Sequence, residues 1–141
     1  MDFSLKYGTE DIDWAALCEV FRLAPLGLRE PDKLKIAAEN SHTVCSAYCD
    51  GQIIGFGRAL SDGHYQSAIY DVVVLPEYQN QGIGKAIMKA LLEKLPKTGP
   101  VLIYAVPGKQ DFYKKFGFGH LKTGMGLFPN PEISRAKGFL E

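Results

Sequence analysis

Hydrophobic and polar positions follow two different periods along the chain, and each period predicts its own kind of element. Residues 69–75 are mostly apolar and rich in β-branched side chains, which is typical of a buried strand. After a glycine-containing turn, apolar residues recur every three or four positions, as one helix face requires. The pattern predicts a strand, a turn and a helix that ends before Pro96; the helix face is formed by Ile83, Ala86, Ile87, Ala90, Leu91 and Leu95.

The first half of the chain predicts a strand, two helices and a hairpin. Residues 3–7 alternate apolar and polar positions, and a helix capped by Thr9 or Asp11 follows them. A second, shorter helix is predicted over residues 31–40, where a proline suits the first helical turn. Two strands within residues 43–60 are separated by Asp-Gly, a pair that two-residue hairpin turns prefer.

The second hairpin strand has two unlike faces. Gly55 and Gly57 share one face, which leaves room there for close packing or for a ligand. Arg58 lies on the opposite face with Ile54 and Phe56. An arginine among apolar neighbours is either paired within the fold or lines a cleft.

The second half of the chain predicts a strand over residues 101–106 and a short helix that carries Tyr113. One or two final strands are expected between residues 118 and 128. Pro129 and Pro131 are interpreted as the start of a fraying tail. Strands and helices thus alternate about a mixed sheet, which predicts an α/β fold.

Composition narrows the classes of function. A length of 141 residues with 46% hydrophobic residues suits one domain over residues 1–141. Sixteen basic and sixteen acidic residues cancel, so charge favours neither nucleic acid nor a membrane surface as a partner. No apolar run is long enough for a bilayer, and we expect a cytoplasmic protein. Cys18, Cys45 and Cys49 are expected to be buried free thiols rather than disulfides or metal ligands.

The turn over residues 79–85 carries the clearest chemical signal. Gly82 and Gly84 have no Cβ, so an anion can approach the backbone N–H groups at a helix start, where the helix dipole is positive. Lys85 adds a mobile cation. The nicotinamide fingerprint needs a further glycine where Ile87 stands, and no nucleoside-triphosphate loop string occurs.

The turn resembles the acyl-coenzyme A loop of the GNAT N-acetyltransferase superfamily, Gln/Arg-x-x-Gly-x-Gly/Ala, which follows a strand that ends near a proline. Here Pro76 is followed by Gln79, Gly82 and Gly84. Residues 112–118 resemble the family's Tyr-x-Lys-x-Gly-Phe segment, in the expected order and separation. The resemblance implies a mixed, mostly antiparallel central sheet flanked by helices, with a splayed central strand pair.

The same resemblance implies acetyl-CoA as co-substrate and no metal. In the family the central strand pairs with the pantetheine arm, and the loop holds the pyrophosphate. The thioester would then lie near Val73. The cofactor-binding residues implied are Val72, Val73, Val74, Gln79, Asn80, Gln81, Gly82, Ile83, Gly84 and Lys85.

The implied reaction is acetyl transfer to a primary amine of a small molecule or a protein, by direct attack in a ternary complex. Such a reaction needs a proton acceptor for the amine and a proton donor for the leaving thiolate. Tyr113 matches the family tyrosine that often protonates the sulfur; the alternative is a core aromatic beside Phe112 and Phe116. Asp71 is the first candidate base, because an ionised carboxylate in an apolar strand is costly. Alternatively, Asp71 holds Arg58 or caps a strand end.

Three further residues are candidates for binding the acceptor: Arg29, Arg58 and His64. Arg29 lies in the early loop that shapes the acceptor pocket in the family, where it would bind an acidic group; the alternative is a solvated surface arginine. His64 is a second candidate base or an exposed loop histidine. Many family members carry an asparagine seven positions before the tyrosine, and Val106 stands there in this chain.

Two other functions are compatible with the sequence. A catalytically silent acyl-CoA-binding module would keep the glycine loop without depending on Tyr113, and a plain α/β domain would bind nothing there. The resemblance also implies a possible homodimer through the last strands, to which Met125, Leu127 and Phe128 would contribute.

Overall fold

The computed structural model describes residues 2–141, which form two compact units. One unit ends at Ile103 and the other extends from Tyr104 to Glu141. A single domain over residues 1–141 stays a prediction. The described residues form five strands and five α-helices: β1 (Ser4–Tyr7), α1 (Trp14–Leu23), α2 (Pro31–Glu39), β2 (Thr43–Cys49), β3 (Gln52–Ser61), β4 (Ser67–Val74), α3 (Ile83–Lys94), β5 (Val101–Leu102), α4 (Gln110–Lys114) and α5 (Pro131–Ala136).

The five strands form one sheet in sequence order. Neighbouring strands are antiparallel from β1 to β4, and β5 is parallel to β4. This arrangement confirms the predicted mixed, mostly antiparallel sheet. The parallel pairing joins only Ser67 to Val101 and Ala68 to Leu102. Over the rest of its length to Val74, β4 has no partner in β5, as a splayed strand pair requires.

Helices pack on both faces of the sheet in the first unit. A Cβ added to Gly57 would lie 2.5 Å from Cγ2 of Ile87 and 2.9 Å from Cδ1 of Leu91, both in α3. The missing side chain is therefore what lets α3 approach β3. Of the two alternatives for this face, close packing is the one observed. On the other face, the ring centroids of Phe56 in β3 and Phe21 in α1 lie 6.1 Å apart.

The predicted start of the first helix is wrong by a few residues. Asp13 caps α1, and its carboxylate accepts a hydrogen bond from the Ala16 N–H at 3.0 Å. Asp11 instead has a left-handed backbone with a φ of 60°. The second helix begins at Pro31 as predicted, and α3 begins at Ile83 and ends at Lys94, before Pro96.

The predictions for the last part of the chain are largely wrong. The strand expected over residues 101–106 ends at Leu102, where its pairing with β4 stops. Residues 118–128 form no strand within the described chain. The ring of Phe128 packs edge-on against Tyr104 and at a tilt against Phe139, while Met125 and Leu127 are fully exposed.

Helix α5 occupies the segment that was expected to fray. Asn130 is its N-cap, and the Asn130 side chain accepts a hydrogen bond from the Ile133 N–H at 3.3 Å. Pro131 takes the first helical position, where the missing N–H costs nothing. The prediction of a fraying tail is therefore wrong at Pro131, which starts a helix.

The three cysteines are free thiols, but they differ in burial. Cys45 is fully buried in β2, and burial raises the pKa of its thiol to about 11. Cys18 and Cys49 are half-buried, so the expectation of burial is confirmed for Cys45 alone. Across residues 2–141, no helix has the length and hydrophobicity that crossing a bilayer requires.

Candidate active site

The register of β4 determines which backbone groups face its unpaired edge. The N–H of Leu75 donates to the carbonyl of Ile54 at 2.8 Å, so this pair is hydrogen-bonded toward β3. Pairs along an antiparallel ladder alternate between bonded and non-bonded, so Val73 also faces β3. Val72 and Val74 therefore direct their N–H and C=O groups to the opposite edge. A strand-like ligand at that edge would bond to Val72 and Val74 rather than to Val73.

A short turn connects this edge to the glycine loop. Residues Pro76–Tyr78 form one 3₁₀ turn, after which the Gln79 side-chain amide donates back to the Val74 carbonyl at 3.0 Å. Asn80 has a φ of 64°, a left-handed conformation that asparagine tolerates better than most residues. Gln81 reaches back to the Glu77 carbonyl at 3.3 Å. Gln79 thus ties the loop to the end of β4, and Gln81 ties it to the 3₁₀ turn.

Helix α3 begins with unpaired N–H groups. Gly82 is its N-cap with a φ of 84°, and the first intrahelical bond runs from the Ala86 N–H to the Gly82 carbonyl at 3.0 Å. The N–H groups of Ile83, Gly84 and Lys85 precede that bond and have no acceptor within the helix. A Cβ at Gly82 would meet no atom within 4 Å, so the space before the helix is open. The geometry suits an anion.

The carboxylate of Asp71 is buried and paired with two arginines. Asp71 is 3% exposed, and Arg58, its direct cross-strand neighbour, donates from Nε to Oδ2 at 2.6 Å. Arg29 donates from Nη2 to Oδ1 at 3.1 Å and from Nη1 to Oδ2 at 3.4 Å. Both carboxylate oxygens thus accept hydrogen bonds from guanidinium groups. This geometry favours the alternative in which Asp71 holds Arg58, and it adds Arg29 as a second partner.

Both arginines are also held by residues that were not among the predicted site residues. The guanidinium carbon of Arg29 lies 4.4 Å from the centroid of the Phe21 ring. Nη1 of Arg58 donates to Oγ of Ser41 at 3.4 Å. The helical spacing of apolar residues in α1 includes Phe21, but its cationic partner depends on the path of the following loop. No local pattern indicates that path.

His64 lies away from the glycine loop. It precedes the first residue of β4, whereas the loop follows the last, and eight strand residues extend over roughly 25 Å. The His64 side chain is exposed, and the backbone N–H of His64 donates to Oδ1 of Asp62 at 2.8 Å. Oδ1 of Asp62 also accepts the N–H groups of Tyr65 and Gln66, so the turn is internally ordered. The structure does not bring His64 to the loop or to Asp71.

Tyr113 belongs to the second unit and lies in α4. Its ring makes edge contacts with Phe112 and Phe118, at centroid distances of 5.0 and 6.0 Å. Burial raises the pKa of the Tyr113 phenol, so the hydroxyl is protonated at neutral pH. Val106, at the position of the common family asparagine, lies in irregular chain and is half-exposed.

The family model for the GNAT acetyltransferase family matches residues 10–118. This chain belongs to the GNAT acetyltransferase family. The chloroplastic serotonin N-acetyltransferase 2 of Oryza sativa subsp. japonica is 32% identical to it over 122 residues. The chloroplastic GCN5-related N-acetyltransferase 1 of Arabidopsis thaliana is 34% identical over the same length. Each match covers 82% of this chain and 61% of the relative, so the chain spans about three fifths of these curated proteins.

Solved structures share the fold. A GNAT-family acetyltransferase from Streptococcus pneumoniae superposes with a TM-score of 0.76 at 24% identity. The match covers 90% of this chain and 96% of that chain. At this identity the likeness supports the fold, which agrees with the sheet described above.

Proposed function

We propose that the chain transfers an acetyl group from acetyl-CoA to a primary amine by direct attack within a ternary complex. The observation that carries this proposal is the continuity between two binding surfaces. The unpaired edge at Val72 and Val74 leads, through the turn that Gln79 anchors, to the unpaired N–H groups of Ile83 and Gly84. An amide-containing arm that ends in a pyrophosphate fits this sequence of surfaces.

The two parts of such a donor have matched chemistry on the chain. Pantetheine amides resemble peptide groups, so they would pair with the N–H and C=O groups of Val72 and with the N–H of Val74, as an added strand does; the Val74 C=O already accepts from Gln79. The pyrophosphate would accept from the N–H groups at the start of α3, and Lys85 is exposed beside them. The thioester would then lie along the open half of β4.

The proton transfers would be divided between unlike groups. Asp71 is enclosed by two guanidinium groups and is nearly inaccessible, so an attacking amine has no direct route to its oxygens. We therefore assign Asp71 to positioning Arg29 and Arg58. Tyr113 is proposed as the acid that protonates the leaving thiolate, as its match to the family segment implies.

Titration calorimetry with acetyl-CoA tests the donor site directly. We expect acetyl-CoA and coenzyme A to bind and a nicotinamide dinucleotide not to bind, because the loop lacks that fingerprint. Release of free thiol with a panel of primary amines then tests transfer. Binding without thiol release would point to a silent acyl-CoA-binding module. A folded sample that does not bind would overturn the proposal.

The variant Tyr113→Phe tests the acid role. Loss of a general acid should lower kcat by about a hundredfold or more, whereas acetyl-CoA affinity should hold. Because burial raises the pKa of Tyr113, wild-type kcat should hold on the alkaline side up to a higher pH than the one at which an ordinary tyrosine loses its proton. The measurement is kcat across pH for both proteins, with calorimetric binding in parallel.

A matched control is Tyr65→Phe, which removes a hydroxyl from an exposed tyrosine in the first unit. Its kcat should equal that of the wild type. If Tyr113→Phe keeps the wild-type kcat and pH profile, Tyr113 is not the acid.

A further inference from the structure

We propose that the acceptor is a small amine that also carries a carboxylate, and that Arg29 binds this carboxylate. The inference rests on the proposed acetyl transfer and names the class of its acceptor. Arg29, Arg58 and Asp71 form one charged cluster. Two guanidinium groups share one carboxylate there, so the cluster carries one unbalanced positive charge.

No other acid in the described chain neutralises this charge. Glu30 follows Arg29 directly, but its carboxylate pairs with Nζ of Lys33 at 2.7 Å. The whole chain is neutral, with sixteen basic and sixteen acidic residues, so the excess is local. Two partly buried cations that share one counter-charge favour a further anionic ligand.

Arg29 retains the groups that such a ligand needs. Its hydrogen bonds to Asp71 use two of five N–H groups, and its side chain is 31% exposed, against 16% for Arg58. The Asp71 carboxylate and the Phe21 ring hold the guanidinium in place, so little side-chain freedom would be lost on binding. Three donors in a fixed plane match the geometry of a carboxylate.

The space beside Arg29 limits the size and polarity of the ligand. A cavity of about 370 Å³ opens at this point, within the range of small-molecule sites. Apolar groups form part of its wall, which suits a short hydrocarbon body attached to the carboxylate. The cavity is lined by Leu28, Arg29, Glu30, Lys33, Leu34 and Ala37.

The cluster is also next to the proposed donor edge. Asp71, which holds Arg29, precedes Val72, whose backbone groups face the unpaired edge of β4. A carboxylate bound to Arg29 would keep the rest of the molecule near the strand along which the thioester is proposed to lie. A small amino acid with an apolar body meets all of these conditions.

Matched acids and amides separate this proposal from plain amine binding. The probes are L-leucine with L-leucinamide and 6-aminohexanoate with its amide. Binding is monitored through the NMR signal of the Arg29 Nε–H group, in ¹⁵N-labelled protein that is saturated with coenzyme A. Both acids should shift this signal and both amides should not. Equal shifts from acids and amides, or no shift from either acid, would overturn the inference.

The variant Arg29→Gln gives a second readout and leaves Arg58 to pair with Asp71 one to one. For each pair of probes, kcat/KM for the acid is divided by kcat/KM for the amide. Arg29→Gln should lower this acid-to-amide ratio by about tenfold or more, because a charge-assisted hydrogen bond to the acid is lost. Arg29→Lys keeps the charge without the planar fork and should give an intermediate ratio. Arg22→Gln, which removes an exposed arginine paired with Glu19, should leave the ratio unchanged.

The outcomes distinguish the two proposals. Acids that shift the Arg29 signal without any thiol release would support the carboxylate site and overturn acetyl transfer. Thiol release with the same acid-to-amide ratio of kcat/KM in the wild type and in Arg29→Gln would support acetyl transfer and overturn the carboxylate site. Thermal unfolding of each variant confirms that the measurements are made on folded protein.

Discussion

Replacement of Gly82 by glutamate is expected to abolish acetyl-CoA binding while the chain stays folded. Gly82 is the N-cap of α3, and a Cβ added to it would meet no atom within 4 Å, so a side chain can leave the backbone there without a clash. It would instead enter the volume proposed for the pyrophosphate. Two unit charges 4 Å apart repel by about 4 kcal/mol at a partly solvated site, or roughly a thousandfold in Kd.

Two control variants separate this repulsion from backbone strain. Gly82 has a φ of 84°, so any side chain costs roughly 1–2 kcal/mol of stability. Gly82→Ala introduces that strain without the charge and should reduce affinity far less. Gly8→Glu adds the same charge at another open glycine with a φ of 92°, after β1, and should not change affinity. Calorimetry gives the Kd for acetyl-CoA. A Gly82→Glu variant with the wild-type Kd would show that the pyrophosphate does not bind at this loop.

The variant Asp71→Asn is expected to lower the free energy of unfolding by about 3–5 kcal/mol. Asparagine has the same shape as aspartate but carries no charge, so the guanidinium groups of Arg29 and Arg58 would lose their shared counter-ion. The Arg58 side chain is 16% exposed, and water compensates for little of this loss. Urea unfolding followed by circular dichroism measures the difference.

An exposed ion pair provides the comparison. Glu19→Gln removes the partner of Arg22 on the surface of α1 and should change stability far less than Asp71→Asn does, because water replaces the lost partner. Turnover of Asp71→Asn, measured together with its stability, decides between the two roles considered for Asp71. A stable Asp71→Asn protein that has lost turnover would make the carboxylate catalytic; a destabilised one whose activity follows the folded fraction would make it structural.

The parts of the fold that sequence predicted correctly are those that local signals encode. The apolar run of β4, the three- and four-residue spacing in α3 and the Asp-Gly turn each act within about ten residues. The Arg58–Asp71 pair can also be predicted from the sequence, because strands that follow one another in the chain commonly pair in the sheet. The Arg29–Asp71 pair cannot, because 42 residues separate its members and a loop of irregular backbone brings them together.

The last part of the chain shows a different kind of error. Asn130, Pro131 and Glu132 form a complete helix start, with an N-cap, a proline in the first turn and an acidic residue near the positive end of the dipole. Taken together these residues predict a helix start, whereas the prolines taken alone predict a fraying tail. The residues of the missing strands, in contrast, carry apolar side chains but have no strand to pair with among the described residues, and no local pattern indicates that absence.

The two-residue pairing between β4 and β5 has a consequence beyond catalysis. An unpaired strand edge is a template for other extended chains, and proteins commonly protect such edges. Here the proposed protection is a small molecule rather than a loop or a charged side chain. The supply of coenzyme A would then govern how long the protein persists without aggregating, as well as how fast it works.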